Sequence, residues 1–217
     1  LAILFGRDIH DEILAGLGAA LAERQDIFNK GIRGSMTRQL LFLFNTDLLR
    51  NETPKQPLLP DIWLPQSQLF VAREKENSAD GFYLAAQGLH NGKSHNHNDV
   101  GSFLLYFDGE PFIIDVGPEG YKAKTFTGER YTIWTMQSAY HNLPTINGVM
   151  EKEGNQYAAR DVQYQSWKDS VLFSLDIAGA FPQEAHVEKW VRSIKMDRTK
   201  GEVSVTEDYV LDAAVKD

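Results

Sequence analysis

The chain contains no cysteine and no long apolar run. The first absence excludes disulfide bonds, thiolate metal sites and cysteine nucleophiles, but it leaves the cellular compartment open. The most apolar run, residues 40–44, is far shorter than the roughly 20 residues that a membrane-spanning helix requires. Residues 1–5 lack the preceding basic segment of a secretion signal. The sequence therefore predicts a folded chain with no membrane span and no signal segment of its own.

Basic residues are also scarce, since 22 Lys and Arg stand against 30 Asp and Glu, for a net charge of −8. This balance opposes general binding to nucleic acid. An anionic substrate would need a locally positive pocket. The basic residues closest to the motifs described below are Lys93, Lys122, Lys124 and Arg130. The composition, 42% hydrophobic and 24% charged, is typical of a globular protein.

Two segments near the start have helical patterns. Apolar residues recur at helical spacing over residues 8–24, which predicts an amphipathic helix capped by Asp8. Residues 37–49 are apolar around most of the helical circumference, as in a helix packed among others. Prolines are dense only in the following segment, at Pro54, Pro57, Pro60 and Pro65. They exclude a regular helix or a central strand there.

The pattern beyond the prolines changes to short β-prone runs. They cover residues 69–72, 82–86, 103–107, 112–116, 143–149, 171–177, 187–194 and 203–210. Asp108-Gly109 and Asn147-Gly148 are hairpin turn signals, because both positions tolerate positive φ. We therefore predict a multi-domain α+β chain with an α-helical part and linker over residues 1–66 and an antiparallel β-sandwich over residues 67–217.

Residues 94–99, with the sequence SHNHND, place His95 and His97 two positions apart. On an extended backbone both rings would project to the same side. Histidine is the commonest metal ligand, and Asn98 and Asp99 are plausible acceptors for the second ring nitrogen. On its own, the His-x-His pattern is equally typical of polar turn residues near the surface.

Two later residues extend the pattern. Asp115 follows an apolar strand, where an unpaired buried carboxylate would cost several kcal/mol unless a cation or strong donors met it. His141 stands at the edge of another apolar run, and Asn142 is placed to fix its ring tautomer. Two histidines and one aspartate are typical of an open, catalytic-type zinc site, with Mn²⁺ as the alternative.

Four ordered segments carry a family resemblance: residues 95–103 (HNHNDVGSF), 112–117 (FIIDVG), 130–131 (RY) and 140–144 (YHNLP). They resemble the heparinase II/III-like polysaccharide lyases, which include lyases of heparan sulfate, heparin and alginate. The resemblance implies an α/α toroid joined to antiparallel β-sheet domains, with the substrate cleft between them. Residues before about 65 would then be the end of the toroid, and the chain would be part of a longer protein.

The resemblance also implies site residues. The metal ligands would be His97, Asp115 and His141, and His95 would face the cleft as a catalytic group. Tyr131 matches a cleft tyrosine with a supporting catalytic role, while Tyr121 competes for that position. The other catalytic groups of the family, an Asn-His pair and a tyrosine, belong to the toroid and have no counterpart in this chain.

The implied reaction is β-elimination at a uronic acid linked through O4, with a divalent metal that organises the cleft wall. The implied partners are an anionic uronic-acid polysaccharide and the rest of the same polypeptide, in the periplasm or outside the cell. Three alternatives stay open: a metal-dependent hydrolase, a non-catalytic carbohydrate-binding sandwich, and a cupin-type oxygenase, which the extended match opposes. Trp134 has apolar neighbours and is predicted to be a core residue rather than a sugar-stacking one.

Overall fold

The computed structural model describes residues 1–212 and divides the chain into two compact units, one of residues 1–58 and one that begins at Leu59. The division lies before the first β-strand, whereas the sequence placed it after Gln66. None of the helices in this part of the chain has the length and apolar character needed to cross a membrane.

The first unit is helical. Its five helices are α1 (Ala2–Asp8), α2 (Glu12–Arg24), α3 (Ile27–Lys30), α4 (Met36–Phe44) and α5 (Thr46–Arg50). α1 and α2 approach closely at Gly18, where an added Cβ would lie 2.7 Å from the backbone nitrogen of Ile3. A glycine is therefore required at this crossing.

Both helix predictions need correction. The helix predicted over residues 8–24 begins at Glu12, because His10 adopts a left-handed conformation (φ 58°) and interrupts the first turn. The cap is Asp11 rather than Asp8, and its side chain accepts a hydrogen bond from the backbone N–H of Leu14 at 2.9 Å. The helix predicted over residues 37–49 is divided at Asn45, whose side-chain amide donates to the carbonyl of Leu41 at 2.8 Å and ends α4.

The second unit is built from antiparallel strands. They are β1 (Asp61–Leu64), β2 (Leu69–Arg73), β3 (Phe82–Gln87), β4 (His90–Asn91), β5 (Phe103–Phe107), β6 (Glu110–Ile113), β7 (Gly154–Ala158), β8 (Arg160–Ser166), β9 (Ser170–Asp176), β10 (Val187–Asp197) and β11 (Glu202–Leu211). One sheet has the order β1-β2-β3-β5-β6 and a second has the order β11-β10-β9-β8, while β4 and β7 form a small separate pair.

The two larger sheets share one core. Phe70 on β2 stacks on Phe173 on β9, with ring centroids 5.4 Å apart, and both side chains are fully buried. Leu84 on β3 and Ile194 on β10 belong to the same cluster. The α+β fold class with an antiparallel sandwich is therefore confirmed, while the assignment of the helices to the end of a toroid stays a prediction.

The hairpin between β5 and β6 is confirmed, since Asp108 (φ 51°) and Gly109 (φ 80°) form its turn. Its second strand ends at Ile113 instead of continuing to Val116. Residues 143–149 are not a strand: they contain a tight turn closed by the bridge between Ile146 and Val149. β1, β4, β7 and β8 were not predicted, because they are short or mainly polar and their pairing depends on neighbours distant in sequence.

The shared core predicts a strong contrast between two phenylalanines. Phe173→Ala should lower the free energy of unfolding of the sandwich by about 3–5 kcal/mol, because it opens a cavity between the sheets. Phe112→Ala, at a side chain that is 69% exposed, should change it by less than about 0.5 kcal/mol. Urea denaturation followed by tryptophan fluorescence measures both, and equal losses would contradict the shared core.

Candidate metal centre

Three side chains that are distant in sequence meet at one point of the β unit. His97, Asp115 and His141 each offer one ligand atom, and these atoms all lie within 4.8 Å of one another. Nδ1 of His141 lies 2.6 Å from Oδ2 of Asp115, and the two imidazole rings have centroids 5.2 Å apart. The structure therefore brings together the three predicted metal ligands.

The β5–β6 hairpin and an asparagine hold Asp115 in place. Asp115 lies two residues beyond the end of β6, and its Oδ1 accepts a hydrogen bond from the backbone N–H of Gly117 at 2.9 Å. The amide of Asn142 donates to the carbonyls of Phe103 (2.7 Å) and Ile114 (3.0 Å). Asn142 was expected to fix the tautomer of His141, but it instead ties the hairpin to the segment that carries His141.

His95 and His97 lie in the loop of residues 91–100, which begins at Asn91, the last residue of β4, and not on an extended strand as the two-residue spacing suggested. His95 has a left-handed backbone (φ 55°) and an exposed side chain, while His97 is half-buried. The guanidinium of Arg130 donates to the carbonyl of Asn96 through Nε (3.1 Å) and Nη2 (2.7 Å). The backbone N–H of Asn98 donates to the carbonyl of Met136 at 3.0 Å. The hydrogen bonds from Arg130 therefore help to hold this loop in place.

A buried arginine on β10 connects two of the ligand segments. Arg192 Nη1 donates to the carbonyls of Gly101 and Asn142, both at 2.7 Å, and Nε pairs with Glu207 at 2.7 Å. Sequence reasoning missed this residue. The alternation along β10 is the signal that could have found it, because Arg192 shares the inward face of the strand with Ile194 and Met196.

Charges at the cluster favour metal-binding forms for two of the three groups. Burial and the neighbouring His141 lower the pKa of His97, which favours the neutral ring. Burial opposes ionisation of Asp115, but hydrogen bonds from His141 and Gly117 lower its pKa overall. Burial likewise opposes protonation of His141, yet its hydrogen bond to Asp115 and the charge of that carboxylate raise its pKa. His141 Nε2 is buried and has no hydrogen-bond partner among residues 1–212. Two imidazoles and a carboxylate whose ligand atoms lie within 4.8 Å of one another fit a divalent cation.

The exposed His95 has an aromatic partner. Its Nδ1 lies 3.0 Å from the hydroxyl of Tyr121, and the ring of Phe126 lies beside both side chains. Tyr131 is half-buried next to Arg130, and burial raises its pKa. Within the described residues His95 makes no hydrogen bond or ring contact with Tyr131. The geometry favours Tyr121 over Tyr131 as the partner of His95, and a catalytic role for Tyr131 stays a prediction.

One further expectation about the surroundings is wrong. Trp134 was expected in the core, but its side chain is 47% exposed and packs edge-on against Tyr140 at 5.1 Å. Of the basic residues near the motifs, Lys122 pairs with Glu119 at 2.8 Å, and Lys93 donates to the side-chain oxygen of Gln87 at 3.3 Å.

A second buried acidic group lies behind the loop. Oε2 of Glu151 accepts hydrogen bonds from Asn91 Nδ2 (2.9 Å) and the backbone N–H of Val100 (3.0 Å). Burial raises the pKa of Glu151 from 4.5 to about 8, despite these donors. Sequence reasoning missed Glu151, because residues 150–153 read as an ordinary charged surface segment.

The arrangement can now be compared with known proteins. The model of a family described as "Heparinase II/III-like, C-terminal" matches residues 56–214. The chain belongs to the heparinase II/III-like family. A search of curated protein sequences gives no match.

Solved structures agree with this heparinase II/III-like assignment at the level of fold. A mutant of the heparan sulfate lyase HepC from Pedobacter heparinus is 15% identical with a TM-score of 0.55, and the match covers 81% of this chain and 27% of that one. The "Heparinase III-BT4657 gene product" is 18% identical with a TM-score of 0.57, over 81% of this chain and 26% of that one. The chain thus spans about a quarter of the length of these two proteins.

The raised pKa of Glu151 gives the β unit of this family member a pH-dependent stability. Between pH 4.5 and about 8 the folded chain retains a proton that the unfolded chain has lost. The contribution of Glu151 to the free energy of unfolding should therefore be most favourable below pH 4.5 and should decline as the pH rises to about 8.

Urea denaturation at a series of pH values measures this dependence. Glu151→Gln cannot ionise, so its stability should fall less steeply over the same interval. Parallel pH profiles for the wild type and the Gln variant would show that Glu151 does not retain its proton.

Proposed function

We propose that the complete protein is a polysaccharide lyase that cleaves a uronic-acid-containing polysaccharide by β-elimination. In this proposal the chain supplies the metal-bearing wall of the cleft. The observation that carries the proposal is the exposed His95–Tyr121 pair, with His95 two positions before His97 of the cluster of His97, Asp115 and His141, in a chain of the heparinase II/III-like family.

The chemistry needs no attacking water. A base removes the proton at C5 of the uronic acid, and the electron pair forms the C4–C5 double bond. The bond between C4 and the O4 leaving group breaks, and an acid protonates the departing oxygen. The substrate carboxylate stabilises the negative charge that develops at C5, provided that positive charge or hydrogen-bond donors neutralise that carboxylate.

His95 and Tyr121 have the functional groups for two of these tasks. Both side chains are exposed, and at 3.0 Å the phenol oxygen of Tyr121 and Nδ1 of His95 form a hydrogen bond. We assign His95 to neutralisation of the substrate carboxylate or proton transfer, and Tyr121 to proton transfer with Tyr131 as its competitor. A base and an acid must lie within hydrogen-bond reach of their protons, so residues of the remaining polypeptide complete the cleft.

The cluster of His97, Asp115 and His141 would hold Zn²⁺, with Mn²⁺ as the second choice for this donor set. We propose an organising role for the ion. The ligands come from the loop of residues 91–100, the end of the β5–β6 hairpin and the turn before His141, so a bound cation would hold three separate segments together. His95, two positions from His97, would then keep a fixed place.

The substrate class is proposed at family level. Two structural neighbours are named as a heparan sulfate lyase and a heparinase III product, and we extend a glycosaminoglycan or alginate substrate to this chain as a proposal. The partner of the chain would be the remainder of its own polypeptide. A polymeric extracellular substrate favours a periplasmic or secreted enzyme.

The first test measures product formation by the complete enzyme on a panel of uronic-acid polysaccharides. An unsaturated product absorbs in the near ultraviolet, whereas hydrolysis gives no such absorbance. His95→Ala and Tyr121→Phe should each lower kcat by roughly 10²–10⁴-fold, the usual contribution of a proton-transfer group. Tyr131→Phe is the matched control for Tyr121, and it should retain most activity.

Three results would contradict this assignment. Hydrolysed products without ultraviolet absorbance would favour a metal-dependent hydrolase. Glycan binding without turnover would favour a non-catalytic carbohydrate-binding sandwich. Loss of activity only in Tyr131→Phe would exchange the roles of the two tyrosines.

The second test concerns the metal. Elemental analysis of the purified protein should detect a stoichiometric divalent metal. Chelation should lower the melting temperature, because the ion would no longer join the three segments. His97→Ala should remove the metal. His186→Ala, at a histidine outside the cluster, is the control and should retain it. An unchanged melting temperature after complete chelation would contradict the organising role.

A further inference from the structure

Glu151 is a buried acid for which the proposed reaction has no use. Its side chain is only 5% exposed, and the described residues contain no salt bridge to it. Oε2 accepts two hydrogen bonds, while Oε1 is buried without a hydrogen-bond partner in the same part of the chain. Placing a carboxyl in such surroundings costs free energy, so its contacts need an explanation.

The two donors to Glu151 stand at opposite ends of the loop that carries His95 and His97. Asn91 is the first residue of residues 91–100 and Val100 is the last, and both donate to the same oxygen. A further hydrogen bond joins the two ends of this loop, because Oδ1 of Asn91 accepts from the backbone N–H of Asp99 at 3.1 Å. One carboxyl oxygen and one amide thus fix the distance between the ends of the loop.

The backbone of Glu151 reaches the other histidine segment. Its N–H donates to the hydroxyl of Ser138 at 2.9 Å, and Ser138 begins the turn that precedes His141. Its carbonyl accepts a hydrogen bond from the side chain of Asn98 at 3.4 Å. Glu151 is therefore bonded to both segments that supply an imidazole, and none of these four hydrogen bonds involves a ring nitrogen.

The charges around Glu151 favour its neutral form. Burial has the largest effect on its pKa, and the neighbouring Asp99 raises the pKa further. The positive charge of Arg192 and the donors Asn91 and Val100 oppose this effect without overcoming it. Asp99 is itself half-buried, and burial raises its pKa as well. A neutral acceptor of the same shape should therefore replace the carboxyl.

We propose that Glu151 is a positioning residue of the metal centre, which acts through Asn91 and Val100 to fix the loop that carries His95 and His97. The inference rests on the metal centre of the proposed function and adds a residue to it. It assigns to Glu151 a role in the geometry of the ligands and not in contact with metal or substrate.

The test compares Zn²⁺ affinity in Glu151→Ala and Glu151→Gln by competition with a chromogenic chelator. Glu151→Ala should weaken binding by roughly 10–100-fold, the usual effect of removing a residue that supports a metal ligand. Glu151→Gln keeps an acceptor oxygen and should bind nearly as tightly as the wild type. Val171→Ala, at a fully buried core position of β9, is the matched control: it lowers stability but should leave affinity unchanged.

A second readout does not depend on the ion. In the metal-free protein, ¹H–¹⁵N spectra of the histidine rings should show shifted His97 signals in Glu151→Ala and native-like signals in Glu151→Gln. If Glu151→Ala does not fold, Asn91→Ala removes one of the two donors and should shift the same signals.

Each outcome has a defined meaning. Wild-type affinity together with native His97 signals in a folded Glu151→Ala variant would overturn the inference. Equal loss in the Ala and Gln variants would also overturn it, because charge rather than shape would then be needed. A wild type that binds no Zn²⁺ would overturn the metal centre of the proposed function, while the ring signals would still decide the positioning role.

Discussion

The contact between the Asp115 carboxylate and the His141 imidazole is the interaction on which the geometry of the centre depends. It joins the end of a hairpin to a turn that follows 26 residues later, and it places an anion where an unpaired carboxylate would be costly. The half-buried His97 completes the group from a third segment. Because the contact tolerates little displacement at 2.6 Å, every element that carries one of these residues must be held to within a fraction of an ångström.

The surrounding fold provides that precision mainly through side chains that bind backbone carbonyls. Three side chains make such contacts. Two of them, Arg192 and Asn142, each donate to two carbonyls, and Arg130 donates twice to the same carbonyl. These carbonyls lie beside the ligand segments. Such contacts fix the path of irregular chain without requiring strand pairing, which explains how loops can support a defined site. The sandwich core supplies the rigid base, because the arginine on β10 is anchored by Glu207 within the four-stranded sheet.

Motif and periodicity predicted several features that depend on local sequence, although not the helix ends. The ordered segments identified His97, Asp115 and His141, and the Asp108-Gly109 turn predicted the hairpin that presents Asp115. The supporting residues were not predictable in the same way, since Glu151 and Arg192 act on groups far away in the chain. The choice between Tyr121 and Tyr131 likewise depends on the path of residues 117–132, which contain only short 3₁₀ turns. The predicted helix ends were wrong for local reasons that helix propensity does not reveal, namely the left-handed backbone of His10 and the side chain of Asn45.

The backbone of His95 has a consequence for how this protein can evolve. A residue with a Cβ atom in the left-handed region carries a conformational cost of about 1 kcal/mol, and histidine bears it here at φ 55°. Glycine at the same position would relieve that cost and make the fold more stable. Selection for thermal robustness alone would thus not favour this imidazole, which accords with the role in the cleft that is proposed for His95.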